Sequence, residues 1–146
     1  MTRSEQLYRE GRFFILSCFI VGLLIYFLTP PLSVRKTYFK QISASPGEVV
    51  TLVAEGYWWR QCPATVRGRW LDERTKFVVA TDKPIEGGRA LASFARQVNE
   101  YKKQIPFTTT FGYKLPKRLC YQALTEHRCG IISLSSKSPL TCLTIQ

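Results

Sequence analysis

An uncharged run of sixteen residues, Phe13 to Leu28, constrains the possible folds of this chain more than any other feature. As a helix it covers about 24 Å, somewhat less than the roughly 30 Å of a hydrocarbon core. Thr29 extends it slightly, and the Arg12 side chain can snorkel to the headgroups. A core helix would carry a polar stripe, and this run is apolar all round. The sequence predicts a short tail over residues 1–12 and a transmembrane anchor over residues 13–29.

A cleaved signal peptide and a soluble helix remain as alternatives to this anchor. Signal peptides usually end in a small-x-small cleavage site, whereas this run leads into Thr29-Pro30-Pro31. Proline ends a helix because it lacks the amide hydrogen. We expect residues 30–46 to form a stalk and residues 47–146 to form an exterior β-rich domain.

The orientation of the anchor rests on weaker signals. Positive charges balance on its two sides, with Arg3, Arg9 and Arg12 before it and Arg35, Lys36 and Lys40 after it. The leading tail is short, and a first apolar segment usually directs export of the downstream chain. These features favour a single pass through a cytoplasmic (inner) membrane, with the N-terminus inside and the C-terminal domain periplasmic or extracellular.

Four cysteines lie beyond the anchor and support export. Cys62, Cys120, Cys129 and Cys142 suggest two disulfides in a small exported domain, while Cys18 lies within the anchor. Free buried cysteines in a cytosolic domain are the alternative. No CxxC pair occurs, which argues against a zinc ribbon. We expect Cys62 to pair with Cys120 or Cys129, joining an early strand to a late one.

Short alternating apolar runs between turn residues predict strands throughout the exterior domain. Val50, Leu52 and Ala54 share one face of a predicted strand over 48–55. The predicted strands cover residues 48–55, 65–71, 76–81, 107–114, 118–123, 128–134 and 140–145, with a hairpin loop at 72–75. Their number and spacing favour a small antiparallel, immunoglobulin-like sandwich. Residues 89–104 have near-helical apolar spacing, so we expect one surface helix there, with a strand as the alternative.

The sequence predicts no catalytic site, metal site or cofactor. His127 is the single histidine and is expected to be a partly exposed strand residue. A histidine that acts as a general base needs a nearby nucleophile and usually a carboxylate that orients it. The spacing of residues around His127 indicates neither. The carboxylates are sparse; Asp72 and Glu73 lie in a predicted turn, and Asp82 and Glu86 flank another. We therefore expect a protein that is not an enzyme.

Two aromatic–basic clusters are the candidate binding patches. In Tyr57-Trp58-Trp59-Arg60, the structural interpretation packs Tyr57 and Trp59 inward while Trp58 covers a loop or a dimer contact. The functional interpretation uses an outward aromatic with Arg60 to bind a protein, a glycan or the membrane interface. The second cluster consists of Tyr113, Lys114, Lys117 and Arg118.

Charge completes the functional prediction. After residue 29 the chain has 18 Lys and Arg against 8 Asp and Glu, a net charge of +10. This excess attracts anionic surfaces, but the cations are scattered and no nucleic-acid site is predicted. The leading hypothesis is a membrane-anchored, non-catalytic binding or structural module on the outer face of a cytoplasmic membrane, engaging an envelope protein or an anionic polymer. The alternative is an accessory protein of a phage or mobile element that acts on the host envelope, in lysis or superinfection exclusion.

Overall fold

The computed structural model describes residues 3–87 and 95–146 and is mainly β, with one apolar N-terminal helix. Helix α1 spans Arg3–Leu28 and is long and apolar enough to cross a membrane. None of its apolar membrane-length window is buried within the protein, unlike the core helix of a soluble protein. The strands are β1 Leu32–Phe39, β2 Ser43–Ala44, β3 Val49–Trp58, β4 Ala64–Asp72, β5 Val78–Thr81, β6 Ile85–Gly87, β7 Ala95–Gln104, β8 Arg118–Cys129, β9 Ile132–Lys137 and β10 Thr141–Ile145.

The strands form two sheets. The first has the order β1-β3-β7 and is antiparallel throughout. The second runs β2-β10-β8-β4-β5, with β6 added to β4 and β9 added to β8, and only its β2–β10 pair is parallel. The sheets do not close on one another, and the immunoglobulin-like arrangement within the predicted β fold is not confirmed.

The main core lies between the sheets, at the end far from the helix. Trp70 on β4 is central to it, stacked on Phe39 with ring centroids 5.9 Å apart and edge-on to Tyr121 at 4.9 Å. Leu52 and Leu119 bring the two sheets together there. Burying such large aromatic and aliphatic side chains supplies most of the favourable free energy of folding.

The predicted stalk is part of the β fold. β1 lies within residues 30–46 and pairs with β3 from Leu32↔Trp58 to Phe39↔Leu52. It begins only four residues after the helix ends at Leu28. The helix therefore leads almost directly into the first sheet, and the prediction of a separate stalk was wrong.

The surface helix predicted over 89–104 is wrong where it can be compared. Residues 95–104 form β7, which pairs with β3 along its whole length, from Val49↔Gln104 to Trp58↔Ala95. Residues 89–94 lie outside the described ranges. The ladder with β3 outweighs the weak helical spacing, because strand formation depends strongly on tertiary context.

Two further strand predictions need correction. Residues 107–114 form no strand; a tight turn occupies Thr109 to Tyr113, with Gly112 at a φ of 79°. The predicted strands 118–123 and 128–134 are instead one long strand, β8, followed by a turn at Gly130 and by β9. The other predicted strands and the loop at 72–75 are present, with small shifts at their ends.

Both expected disulfides are present. Cys62 pairs with Cys129 and Cys120 pairs with Cys142, which confirms an early-to-late link from Cys62. Disulfides persist in oxidising compartments, so these bonds indicate one for the β domain. Cys18 lies exposed on the helix as a free thiol.

Candidate functional site

Arg60 connects the membrane-length helix to the β domain. Its Nη2 donates hydrogen bonds to the backbone oxygens of Phe27, at 2.6 Å, and Thr29, at 3.2 Å. The guanidinium also lies 5.1 Å from the ring centroid of Tyr26. Carbonyls at a helix C-terminus lack intrahelical partners and carry a partial negative charge, and the last turn of α1 contains no basic residue of its own. Arg60 supplies the missing cation from the domain.

In the first predicted binding patch, two of the four side chains are buried. Trp58 and Arg60 are 6% and 7% exposed, so neither presents a surface to a partner. Tyr57 and Trp59 are on the other side of the chain, with ring centroids 5.0 Å apart and Trp59 partly exposed. The structural interpretation placed the aromatics wrongly, because Trp58 packs inward and Trp59 is partly exposed. The functional interpretation does not hold for Arg60, which is buried.

We expect Arg60→Ala to lower the free energy of unfolding of the full chain by about 2–3 kcal/mol, the range for losing hydrogen bonds to a buried charged group. The substitution leaves the last-turn carbonyls without their cation. Arg67→Ala is the matched control, since Arg67 is exposed on β4 and should change stability by less than about 0.5 kcal/mol. Chemical unfolding in detergent, followed by tryptophan fluorescence, measures both; equal effects would contradict the role given to Arg60.

His127 is buried next to Trp58, close to the contact between Arg60 and the end of helix α1. The sequence-based expectation of a partly exposed residue was wrong. Its ring is edge-on to Trp58 with centroids 6.0 Å apart, and its Nε2 lies 3.2 Å from Ser136 Oγ. Burial, followed by the positive charge of Arg60, lowers the pKa of His127 to about 4. The imidazole is therefore neutral at physiological pH.

The Ser136–His127 pair was missed from the sequence, because the β8–β9 pairing that joins these strands is a tertiary feature. A serine nucleophile needs a base that is itself oriented by a third group. His127 Nδ1 is buried and has no hydrogen-bond partner among the described residues. A histidine with a pKa of about 4 is also a weak base at neutral pH. The pair is suited to packing rather than to catalysis.

An exposed groove of about 770 Å³ lies at the end of the β domain opposite the helix. We call it the distal groove; residues 72–79 of the β4–β5 hairpin and residues 109–118 of the loop into β8 line it. β4 runs from Ala64, opposite His127, to Asp72 at the groove, a span of about 26 Å at the usual strand rise. The anchor and the distal groove are thus separated by the length of a strand.

Aromatic side chains dominate the distal groove. Phe77, Phe111 and Tyr113 are 53%, 67% and 74% exposed, and the Phe77 and Phe111 rings lie 5.7 Å apart. An exposed cluster of this kind on a folded surface usually marks an interaction site. All four residues of the second predicted cluster, Tyr113, Lys114, Lys117 and Arg118, line this groove. Phe77 and Phe111 were missed, because each was assigned to a predicted strand, 76–81 and 107–114.

Backbone contacts hold the aromatic loop in place. The amide and hydroxyl of Thr110 both donate to the Val79 carbonyl oxygen, at 2.6 and 2.5 Å. Thr109 and Tyr113 close the turn through two hydrogen bonds of 3.0 Å, and Leu115 is buried in the core. A fixed loop loses little conformational entropy on binding, which favours recognition by the groove as it stands.

The rim of the distal groove has an excess of positive charge. Four cations, Arg74, Lys114, Lys117 and Arg118, face two carboxylates, Asp72 and Glu73. Arg118 is paired with Glu73 at 2.9 Å, and Asp72 accepts hydrogen bonds from the turn amides. Over residues 3–87 and 95–146, no carboxylate lies within 4.0 Å of the other three cations, which therefore remain available to an anionic partner.

A second cavity, of about 220 Å³, lies between the two sheets. At one end Asp82 Oδ2 accepts hydrogen bonds from Tyr121 Oη, at 2.8 Å, and Lys103 Nζ, at 2.9 Å. Burial, then the hydrogen bond to Asp82, raises the pKa of Tyr121. A side chain at Gly68 would collide with the Tyr121 hydroxyl, so only glycine admits this arrangement. The three groups satisfy one another and tie β7 to the second sheet.

Glu73, Cys120 and Cys142 bring possible metal-ligand atoms within 4.8 Å of one another. Both sulfurs belong to one disulfide, and a disulfide sulfur is not the thiolate that binds metal ions. This cluster therefore does not make a metal centre.

No protein-family model matches this chain, and no curated protein sequence matches it. Among solved structures, the alkylpurine DNA glycosylase AlkC of Pseudomonas fluorescens, bound to DNA containing an abasic site analog, superimposes with a TM-score of 0.51 at 11% identity, over 86% of this chain and 33% of that one. The sporulation control protein Spo0M of Bacillus subtilis gives 0.45 at 13%, over 81% and 50%. A cycloisomaltooligosaccharide glucanotransferase of Paenibacillus sp. gives 0.42 at 17%, over 77% and 14%. This chain thus spans about a third of the glycosylase, and the likeness concerns the fold alone.

Proposed function

We propose that this protein is a membrane-anchored, non-catalytic binding or structural module on the outer face of a cytoplasmic membrane, where it engages another component of the envelope. Helix α1 is its single pass, with the N-terminus inside and the β domain periplasmic or extracellular. The observation that carries the proposal is the opposite placement of anchor and groove. Arg60 fixes the membrane end of the domain, and the exposed aromatics of the distal groove lie about a strand length away.

The chemistry of the described residues supports binding rather than catalysis. The four domain cysteines form disulfides, which removes them as thiol nucleophiles. His127 is buried against Trp58 and has a lowered pKa. The distal groove combines exposed aromatic rings with unpaired cations, a composition typical of binding surfaces.

Thiol labelling tests the anchored, exported arrangement. Intact cells and denatured membranes are labelled with a maleimide, with and without reductant, and the products are read by mass. We expect the protein in the membrane pellet and the four domain cysteines labelled only after reduction. A Cys18→Ala variant, whose four remaining cysteines all belong to the β domain, is the matched control. Free thiols reached only after cell breakage would place the domain in the cytoplasm and overturn the proposal.

A further inference from the structure

The distal groove permits a narrower inference about the partner, one that rests on the proposed function. We infer that it binds a protein segment that carries both carboxylates and apolar side chains. Two independent properties of the groove set these two requirements, its exposed aromatic surface and its uncompensated charge.

The aromatic surface sets the first requirement. Phe77, Phe111 and Tyr113 are each more than half exposed, although the protein has a buried core that already contains Trp70, Tyr121 and several aliphatic residues. Exposing these rings to water is unfavourable, and covering them with an apolar side chain recovers that free energy. A purely charged polymer has no group that would replace water on these rings.

The charge sets the second requirement. Arg74, Lys114 and Lys117 surround the rings without a carboxylate partner within 4.0 Å among the described residues. Cations beside an aromatic cluster favour a partner of opposite charge and repel a basic one. The groove volume of about 770 Å³ falls within the usual range of ligand-binding pockets.

The fixed loop makes the groove suited to a short extended or turn segment of a partner. Thr110 and Leu115 fix the loop on both sides of the exposed rings, so the groove is present before the partner arrives. A preformed groove of this size holds a short segment, in the manner of other peptide-recognition sites in which a few anchoring side chains carry most of the affinity.

The test measures the binding of three fluorescent synthetic peptides to the full chain in nanodiscs of phosphatidylcholine, whose zwitterionic surface does not compete for peptide charge. The first peptide is acidic and contains Leu and Phe, the second has the same carboxylates with Ser in place of Leu and Phe, and the third has Lys in place of the carboxylates. We expect the first to bind at least about tenfold more tightly than either of the others. Its affinity should also fall as salt is raised.

Variants assign the binding to the groove. Phe111→Ala should weaken binding of the acidic apolar peptide about tenfold or more, and so should the double variant Lys114→Glu, Lys117→Glu, which should also reduce the salt dependence. Ile131→Ala and Lys137→Glu are the matched controls, because these residues are exposed on the β8–β9 hairpin and outside the groove. They should leave the affinity unchanged.

Four results would overturn the inference. Equal binding of the acidic peptide without apolar residues would assign the groove to an anionic polymer. Displacement of the labelled acidic apolar peptide by polyphosphate as strong as by the same peptide without label would do so too. Equal binding of the basic peptide would remove the role of charge. Binding of none of the three would exclude a segment of this composition. Each result leaves the thiol-labelling test of the anchored, exported arrangement unaffected, so the two failures are distinguishable.

Discussion

Removing the Cys62–Cys129 disulfide by a double substitution to alanine should lower the free energy of unfolding by about 4 kcal/mol. The bond closes a loop of 67 residues, and the entropy that it removes from the unfolded chain grows with loop length. Cys62 lies two positions after Arg60, and Cys129 lies two after His127. The same bond therefore holds together the region where the domain meets the helix.

The Cys120–Cys142 pair provides the internal control. It closes a loop of only 22 residues between two residues that face each other across β8 and β10. Its removal by alanine should cost about 1 kcal/mol less than removal of Cys62–Cys129, by the same dependence on loop length. Urea unfolding of the full chain in detergent measures both variants. A larger loss for Cys120–Cys142 would show that local strain or packing outweighs chain entropy here.

The parts of the fold that depend on local pattern were predictable. The apolar run ending at Leu28 forms a helix, and the alternation from Val66 to Trp70 forms a central strand. In each case a long apolar run or a regular alternation within one segment is sufficient to indicate the element, because neither depends on contacts with distant residues.

Features that depend on pairing between distant segments were not predictable in this way. Residues 32–39 and 95–104 are strands because both pair with β3, and neither segment contains an apolar face clear enough to indicate this alone. The inward packing of Trp58 was nevertheless within reach. Val50 and Leu52 were assigned to one face, and continuing their period of two along the same strand places Trp58 inward with them.

The residues of the candidate site also differ in whether local sequence or distant contacts bring them together. Tyr113, Lys114 and the Lys117–Arg118 pair were recognisable as a cluster because they are close in sequence. Phe77 joins them only through the contact between the β4–β5 hairpin and the loop before β8. The sequence thus indicated the part of the distal groove from Tyr113 to Arg118, whereas the contribution of Phe77 could be assigned only from the fold.

The buried histidine should make the stability of this protein depend on pH in a defined window. His127 has a pKa of about 4 in the folded protein, against about 6.5 for an unperturbed histidine. Above pH 6.5 the imidazole is neutral in both the folded and the unfolded state, so its titration does not lower the unfolding free energy of the protein. Between pH 6.5 and 4 the unfolded chain takes up a proton that the folded protein does not, and stability falls by up to about 3 kcal/mol. Below pH 4 both states are protonated and this loss levels off.

A His127→Gln variant isolates this contribution, because glutamine keeps a polar group near Ser136 but does not titrate. We expect the difference in unfolding free energy between the original protein and the variant to change by up to about 3 kcal/mol between pH 7 and pH 4, in the direction that favours the variant at low pH. Carboxylates titrate in both proteins and cancel in this difference. Parallel pH profiles would mean that His127 is protonated in the fold near its ordinary pKa, and that Arg60 and Trp58 do not enclose it as described. If the difference shifts toward the variant at low pH, the folded protein keeps the imidazole neutral. The contacts that do so are then those with Trp58 and Arg60, and Arg60 is the residue that also holds the end of the helix.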